Sequence, residues 1–291
     1  HDMLGAIIGD IVGSRFEFNN IKTKTFEFFS LDCEFTDDSI MSLAIAKAIM
    51  LTWQEIENQS KSSNETTLHP LDHPEFFQSL SINTIKTMQD LGRRFQSSYG
   101  NHFLMWIQKS DPQPYNSYGN GSAMRISPVA YIARNEQELL QLAYTVTAIT
   151  HNHPEGIKGA QATALAIYLA LQGCNKAIIL ERIIAEYYPL NFTIDEIRPT
   201  YQFDESCQGT VPQAIQAFLE SESFEDAIRI AVSLGGDTDT LAAITGSIAE
   251  AYSTIPEAFE EQALAYLKPE LNSLYHQWQA FLSTHKLSIA H

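Results

Sequence analysis

The chain has 291 residues, of which 44% are hydrophobic and 18% are charged. This composition excludes an intrinsically disordered chain and allows a substantial core. Eighteen basic residues stand against thirty-five acidic ones, which gives a net charge of −17. Because such a surface repels phosphate backbones and anionic lipids, we expect neither a nucleic-acid partner nor a membrane partner.

The cysteines and the lack of a recognisable signal peptide both bear on the cellular compartment. The three cysteines are unclustered, which argues against a disulfide framework or a zinc site and favours a reducing environment. No signal peptide or membrane-spanning stretch is recognisable, so we expect a cytoplasmic monomer. We interpret residues 1–2, before Met3, as a cloning remnant and residues 3–291 as a single domain.

The first apolar segment, Met3–Ser14, carries a glycine at every fourth position: Gly5, Gly9 and Gly13. On a helix these glycines share one face. Each costs the helix about 1 kcal/mol relative to Ala, so we expect a second element to approach this face closely. Tight packing leaves Asp10, inside the apolar helix, and Glu17, just beyond it, unexplained. A buried acid is rarely unpaired, and Glu17 is a candidate for chemistry.

A second segment, Thr36-Asp37-Asp38-Ser39, precedes the apolar run Ile40–Leu51, which predicts a buried helix. Thr36 is a natural N-cap, and the two aspartates fall in the first turn. The helix dipole favours carboxylates there and is expected to keep them ionised. Since the dipole opposes a cation, metal binding at this position would need several carboxylates acting together.

A similar segment, Gly235–Thr240, precedes the apolar run Leu241–Ile248. Its carboxylates and hydroxyls are the oxygen ligands that hard cations such as Mg²⁺, Ca²⁺ or Mn²⁺ prefer. Because residues i and i+2 do not share a helix face, Asp237 and Asp239 could serve one ion only from a turn before the helix. The alternative is an N-cap with an acidic first turn. Two such helix starts facing one another would make a strong divalent-cation site.

A third signal is the glycine- and serine-rich segment Gly119–Arg125. Free backbone N–H groups at such a turn can bind an anion or phosphate, although the pattern is also ordinary turn chemistry. Arg125 could add its charge to a diphosphate or pair with a carboxylate. Downstream, His151 and His153 could be ligands, or one of them could cap a helix locally.

The remaining periodicity is helical and strand-like alternation is scarce, so we expect an all-α fold with a buried central bundle. Thr52–Pro74 reads as a polar surface loop. Predicted helices cover Phe76–Leu91, His102–Lys109, Glu136–Thr150, Glu155–Leu171, Lys176–Tyr187, Val211–Leu219, Phe224–Ser233, Thr240–Ser253, Pro256–Tyr266 and Glu270–Ser283.

With these segments in order, the chain resembles the ADP-ribosylglycohydrolase family, which includes dinitrogenase reductase-activating glycohydrolases and the mammalian ADP-ribosylarginine and ADP-ribosylserine hydrolases. The resemblance covers almost the whole chain. One departure is Ser39 where many relatives carry Thr, which keeps the hydroxyl. The resemblance rests on five motifs: Gly5-Ala6-x-x-Gly9-Asp10-x-x-Gly13-Ser14-x-x-Glu17, Phe35–Ser39, Gly119–Arg125, Thr150-His151 and Gly236–Thr240.

The resemblance implies an all-α fold with two Mg²⁺ or Mn²⁺ ions in a central cleft. By position in the motifs, the metal ligands would be Thr36, Asp37, Asp38, Asp237, Asp239 and Thr240. Glu17 matches an acid on a mobile loop near the cleft. The segments that match the ADP-ribose site contain Gly119, Asn120, Gly121, Ser122, Met124 and His151.

The implied activity is removal of ADP-ribose from protein side chains, with arginine as the first choice of linkage. Asp37, Asp38 and Asp239 would position water at the ions, and Glu17 would orient substrate or assist proton transfer. Alternatives are hydrolysis of serine-linked ADP-ribose or of small ADP-ribose derivatives, a metal-dependent phosphohydrolase, and a non-catalytic ADP-ribose-binding module.

Overall fold

The computed structural model describes residues 2–63, 68–285 and 287. In this part of the chain it contains helices and no strand, with one isolated bridge between Gly119 and Ser206. The predicted all-α class is therefore confirmed. The helices are α1 Leu4–Ser14, α2 Asp37–Ser62, α3 Phe76–Arg94, α4 Asn101–Gln108, α5 Gly121–Met124, α6 Ser127–Ile132, α7 Glu136–Thr147, α8 Pro154–Leu171, α9 Lys176–Glu186, α10 Ile194–Ile197, α11 Val211–Glu220, α12 Phe224–Ser233, α13 Thr238–Tyr252, α14 Glu257–Leu264 and α15 Pro269–Thr284, with a 3-10 turn at Pro70–Asp72.

The centre of the fold is the pair α1 and α13, whose backbones touch along the glycine face of α1. A Cβ atom on Gly9 would lie 2.1 Å from the carbonyl oxygen of Ala242, and one on Gly5 would lie 2.1 Å from that of Gly246. No side chain fits in such a gap. The close backbone approach expected from the glycine spacing is confirmed, and it brings Asp10 of α1 beside the first turn of α13.

Helix α2 is longer than the sequence indicates, and the predicted loop at Thr52–Pro74 is wrong over its first part. The helix continues to Ser62 because its apolar face continues: Trp53 and Ile56 are buried, and Trp53 packs edge-on against Phe76 of α3. The polar residues of this stretch are largely on the outer side of the helix. Residues 64–67 of the predicted loop lie outside the described residues.

Most other predicted helices differ from the observed ones only at their ends. Phe224–Ser233 has the predicted bounds, whereas α6 and α10 were not predicted. Both are shorter than two turns, so they contribute too few apolar positions to give a period. Among the described residues, no helix combines the length and apolar character needed to cross a bilayer.

Candidate active site

The N-terminal ends of α2 and α13 meet beside α1, and their acidic residues form two groups. In one group, carboxylate oxygens of Asp10, Asp38 and Asp239 lie within 4.8 Å of one another. In the other, those of Glu17, Asp237 and Asp239 do so. Asp239 belongs to both groups, so the site is one continuous cluster.

The hydroxyl of Thr36 lies at the centre of the first group. Its Oγ1 is 2.5 Å from Asp10 Oδ1, 2.9 Å from Asp38 Oδ1 and 3.2 Å from Asp239 Oδ2. Thr36 occupies the N-cap position of α2, but its side chain caps no helix N–H. The residue that looks like a cap in the sequence therefore serves the carboxylate cluster.

Asp10 fixes the beginning of α2 against α1. Its Oδ2 accepts hydrogen bonds from the Thr36 N–H at 2.7 Å, the Ser39 hydroxyl at 2.6 Å and the Ser39 N–H at 3.2 Å. The predicted ligand set omitted Asp10, although the sequence carried the signal of an acid inside an apolar helix. The hydroxyl kept at Ser39 is one of the donors that hold this acid.

The turn before α13 supplies Asp237. Gly235 and Gly236 have φ values of 74° and 71°, a backbone region that favours glycine. Asp237 takes the N-cap position but makes no capping bond, and its Oδ2 accepts a hydrogen bond from Asn120 at 2.8 Å. Asp239 lies in the first turn of α13, as in the alternative of an N-cap with an acidic first turn, yet its carboxylate still comes within 4.8 Å of that of Asp237.

Burial and mutual repulsion raise the pKa values of the acids in the cluster. Burial, and then the neighbouring aspartates, raise the pKa values of Asp10, Asp38 and Asp239 well above the ordinary range. The same causes raise the pKa of Asp37 to about 8 and that of Glu17 to about 7. Burial and the neighbouring acids therefore oppose the helix dipole, which favours the ionised form of these carboxylates.

The cluster fits a divalent cation by its chemistry. None of the ion pairs among the described residues neutralises a cluster acid with a basic side chain. Buried carboxylates normally need a partner charge or a metal. Carboxylate and hydroxyl oxygens, without a nitrogen or sulfur ligand, form the donor set that Mg²⁺ and Mn²⁺ prefer.

These acids open on a cavity of about 710 Å³. Its lining includes Glu17, Asp37, Asp237, Asp239 and Thr240 and, from the other predicted segments, Gly119, Asn120, Gly121, Met124, Arg125 and His151. Thr36 and Asp38 lie buried behind this lining. Ser122 is also fully buried and donates a hydrogen bond to the Gly156 carbonyl at 2.8 Å, so its side chain belongs to the packing of α5 on α8.

The glycine-rich turn faces His151. A Cβ atom on Gly119 or Gly121 would lie 3.6 Å or 3.3 Å from His151 Nε2, so the glycines leave the ring edge accessible. Several backbone N–H groups predicted to be free are used: Gly119 donates to Ser117 Oγ, Asn120 donates to the Glu205 carbonyl, and Ala123 and Met124 donate to the Asn120 carbonyl. Asn120 also holds Asp237, which links this turn to the acid cluster.

The contacts of Arg125 and His153 bear on two questions that the sequence left open: whether Arg125 pairs with a carboxylate, and whether one of the two histidines caps a helix. Arg125 pairs with no carboxylate among the described residues; its Nη2 donates to the Thr150 hydroxyl at 2.7 Å. His153 caps α8 locally, with Nδ1 accepting the Glu155 N–H at 3.0 Å. Of these two histidines, His151 is the one that lines the cavity.

Fold and site together define an all-α protein whose cavity is lined by clustered acids that could bind a metal ion. The chain belongs to the ADP-ribosylglycohydrolase family, whose sequence profile matches residues 3–282. The resemblance drawn from the five motifs is therefore confirmed, and the protein is an enzyme of a metal-dependent glycohydrolase family.

Individual relatives are similar along most of their length. The chain is 26% identical to ADP-ribosylhydrolase ARH3 of Xenopus tropicalis, over 86% of this chain and 85% of that protein. It is 28% identical to ADP-ribosylarginine hydrolase Tri1 of Pseudomonas putida (strain GB-1), over 86% of this chain and 68% of that protein. A solved structure described as an ADP-ribosylglycohydrolase-related protein complex has a similar fold, with a TM-score of 0.63, 22% identity and coverage of 99% of this chain and 98% of that chain.

Proposed function

We propose that the protein is a metal-dependent hydrolase that releases ADP-ribose from modified protein side chains, and that it cleaves the N-glycosidic bond to arginine. The observation that carries the proposal is the shared cavity. The acid cluster around Asp239 and the Gly119–His151 region line the same space. A substrate with a ribose at one end and a diphosphate farther along could therefore contact both.

Two divalent cations, Mg²⁺ or Mn²⁺, match the two overlapping acid groups. Thr36, Asp37 and Asp38 would hold them from the α2 side, and Asp237, Asp239 and Thr240 from the α13 side. Donation from the Thr36 hydroxyl to Asp10 would leave the Thr36 oxygen lone pairs free for an ion. When bound, the cations would supply positive charge that orients ribose hydroxyls and activates water.

The chain itself supplies proton transfer and charge near the bond that breaks. Glycosidic cleavage passes through an oxocarbenium-like state that nearby carboxylates stabilise. Glu17 is half-buried at the cavity, and burial followed by the charge of Asp237 raises its pKa to about 7. Such a carboxyl can give a proton to the departing arginine nitrogen or take one from the attacking water at neutral pH.

Charge favours arginine over serine as the linkage. The cavity lining contains the acids Glu17, Asp37, Asp204, Glu205, Asp237 and Asp239, and its one arginine is buried beside His151. A cationic guanidinium leaving group suits such a lining better than a neutral serine hydroxyl does. Hydrolysis of serine-linked ADP-ribose is the second candidate. The name of the relative from Xenopus tropicalis, ADP-ribosylhydrolase, does not restrict the linkage to arginine.

The test is incubation of metal-loaded protein with arginine-linked and serine-linked ADP-ribosylated proteins in parallel, with and without EDTA. We expect intact ADP-ribose to be released faster from arginine, and release to stop with EDTA. Faster release from serine would overturn the arginine assignment. Release of phosphate or AMP would indicate a phosphohydrolase, and binding without any product would indicate a non-catalytic module.

A further inference from the structure

A buried hydrogen-bond chain runs behind the cavity wall from Arg125 to His151. Arg125 Nη2 donates to Thr150 Oγ1 at 2.7 Å, and Thr150 Oγ1 lies 2.6 Å from His151 Nδ1. All three side chains are at most 5% exposed. His151 Nε2, at the opposite edge of the ring, lies toward Gly119 and Gly121 in the cavity wall.

The direction of the hydrogen bonds in this chain follows from the contact distances. Arg125 is always a donor, so Thr150 Oγ1 accepts from it and has one hydrogen of its own to donate. Two acceptors are within reach: His151 Nδ1 at 2.6 Å and the Thr147 carbonyl at 3.4 Å. The shorter contact has the better hydrogen-bond distance, so the hydroxyl donates to Nδ1.

A neutral imidazole that accepts at Nδ1 carries its hydrogen on Nε2. The ring is neutral because burial, and then the charge of Arg125, lower its pKa well below the usual value. Nε2 makes no hydrogen bond to any described residue. The ring therefore presents an unused N–H donor at the cavity.

The surroundings of this donor select an anion. The acid cluster gathers around Asp239, whereas the charge acting on His151 is that of Arg125. Two buried nitrogens of Arg125, Nε and Nη1, have no partner, and no carboxylate compensates the guanidinium. Arg125 is thus the charged group that acts on His151, and its positive charge behind the ring favours a phosphate oxygen as the acceptor of the Nε2–H.

We propose that Arg125 and Thr150 are positioning residues that hold His151 in the tautomer with its hydrogen on Nε2, so that the ring donates a hydrogen bond to a phosphate oxygen of the substrate. The identity of that substrate as an ADP-ribose derivative rests on the proposed function. The tautomer and its cause rest on the geometry of the three side chains and on the burial that keeps the ring neutral.

The test compares Thr150→Val, which removes the hydroxyl at nearly constant shape, with Thr150→Ser, which retains it. Side-chain ¹H–¹⁵N NMR, with the His151 signals identified by a His151→Gln variant, reports which ring nitrogen carries the hydrogen. We expect Nε2–H in the wild type and in Thr150→Ser, and loss of this preference in Thr150→Val. A wild-type ring with its hydrogen on Nδ1, or an unchanged tautomer in Thr150→Val, would overturn the relay.

Calorimetric titration with ADP-ribose is the second readout on the same proteins. A hydrogen bond to a charged phosphate implies a loss of affinity of about tenfold or more in Thr150→Val, and near wild-type affinity in Thr150→Ser. Equal affinity of the wild type and Thr150→Val would overturn donation to the substrate. Absence of ADP-ribose binding in the wild type would instead overturn the proposed function, while the NMR result would still decide the tautomer.

Discussion

Gly9 of α1 lies directly against the backbone of Ala242 in α13, where a Cβ atom would be 2.1 Å from the carbonyl oxygen. This contact sets the separation of the two helices. Asp10 follows Gly9, and Asp239 lies almost one turn before Ala242 along α13. The packing of two glycine-dependent helices therefore determines the distance between acids that are far apart in sequence.

We expect Gly9→Ala to destabilise the protein by about 1–3 kcal/mol or more, because backbone atoms must move to admit the methyl group. The measurement is urea unfolding followed by circular dichroism. Gly100→Ala is the matched control, since no heavy atom lies within 4 Å of a Cβ at that position. Equal unfolding midpoints for the two variants would refute the close-packing account.

Asn20 joins the Glu17 loop to the turn before α13. Its side chain accepts the Gly236 N–H at 2.8 Å and donates to the Gly236 carbonyl at 3.1 Å. Asn20→Ala should destabilise the protein by about 1–3 kcal/mol and should weaken Mn²⁺ binding, because the turn that carries Asp237 loses its support. Asn19→Ala, one residue earlier on the exposed loop, should leave both thermal unfolding and Mn²⁺ titration close to wild type. If Asn20→Ala had the unfolding temperature and the Mn²⁺ affinity of wild type, this contact would not support the turn before α13.

Stability without metal should fall as pH rises from about 5 to 8. Folded-state pKa values of about 7 for Glu17 and about 8 for Asp37 exceed those of the unfolded chain, so the folded protein retains protons that the unfolded chain releases. The stabilising contribution is complete below the unfolded pKa values and is lost as pH passes the folded ones. Thermal unfolding in EDTA measures this loss.

Substitution isolates the contribution of one acid to that pH dependence. Asp37→Asn should flatten the fall between pH 5 and 8, whereas Asp111→Asn, on an exposed residue outside the cluster, should not. The raised pKa of Asp37 requires that the unfolding temperature of Asp37→Asn depend less on pH than that of wild type. Identical profiles would mean that Asp37 is already ionised in the folded protein.

Asp10→Asn should weaken metal binding although the side chain keeps its size. Asp10 accepts bonds at both oxygens from Thr36 and Ser39, and an amide NH₂ would face those donors with another donor. Residues that orient metal ligands typically contribute 10–100-fold to affinity, so we expect a loss of roughly that size in Mn²⁺ titration. Asp111→Asn serves again as the control. Unchanged affinity would show that Asp10 does not position Thr36.

The sequence predicted the parts of the site that depend on local patterns. Thr36–Ser39 and Gly236–Thr240 are recognisable because acids and hydroxyls crowd the start of an apolar helix, and Gly5, Gly9 and Gly13 signal a close contact. The partner of that contact, α13, could not be read from local spacing. The role of Asp10 likewise depends on donors from Thr36 and Ser39, which are brought to it only by folding.

Other differences have similar causes. The helix dipole at Asp37 and Asp38 is a local property that the sequence shows, whereas the burial among Asp10, Asp237 and Asp239 that raises their pKa values depends on the tertiary structure. Polar residues after Thr52 concealed the apolar face formed by Trp53 and Ile56, so the length of α2 was underestimated.

We propose that the acid cluster joined by Asp239 holds the metal ions on which ADP-ribosyl hydrolysis by this enzyme depends. Metal-stripped protein should be titrated with Mn²⁺ while intact ADP-ribose released from an arginine-modified protein is quantified by mass spectrometry. We predict that wild type and Asp111→Asn recover turnover as Mn²⁺ is added and that Asp239→Asn recovers none. Full turnover by metal-stripped wild type, or by Asp239→Asn, would contradict metal-dependent hydrolysis at this cluster.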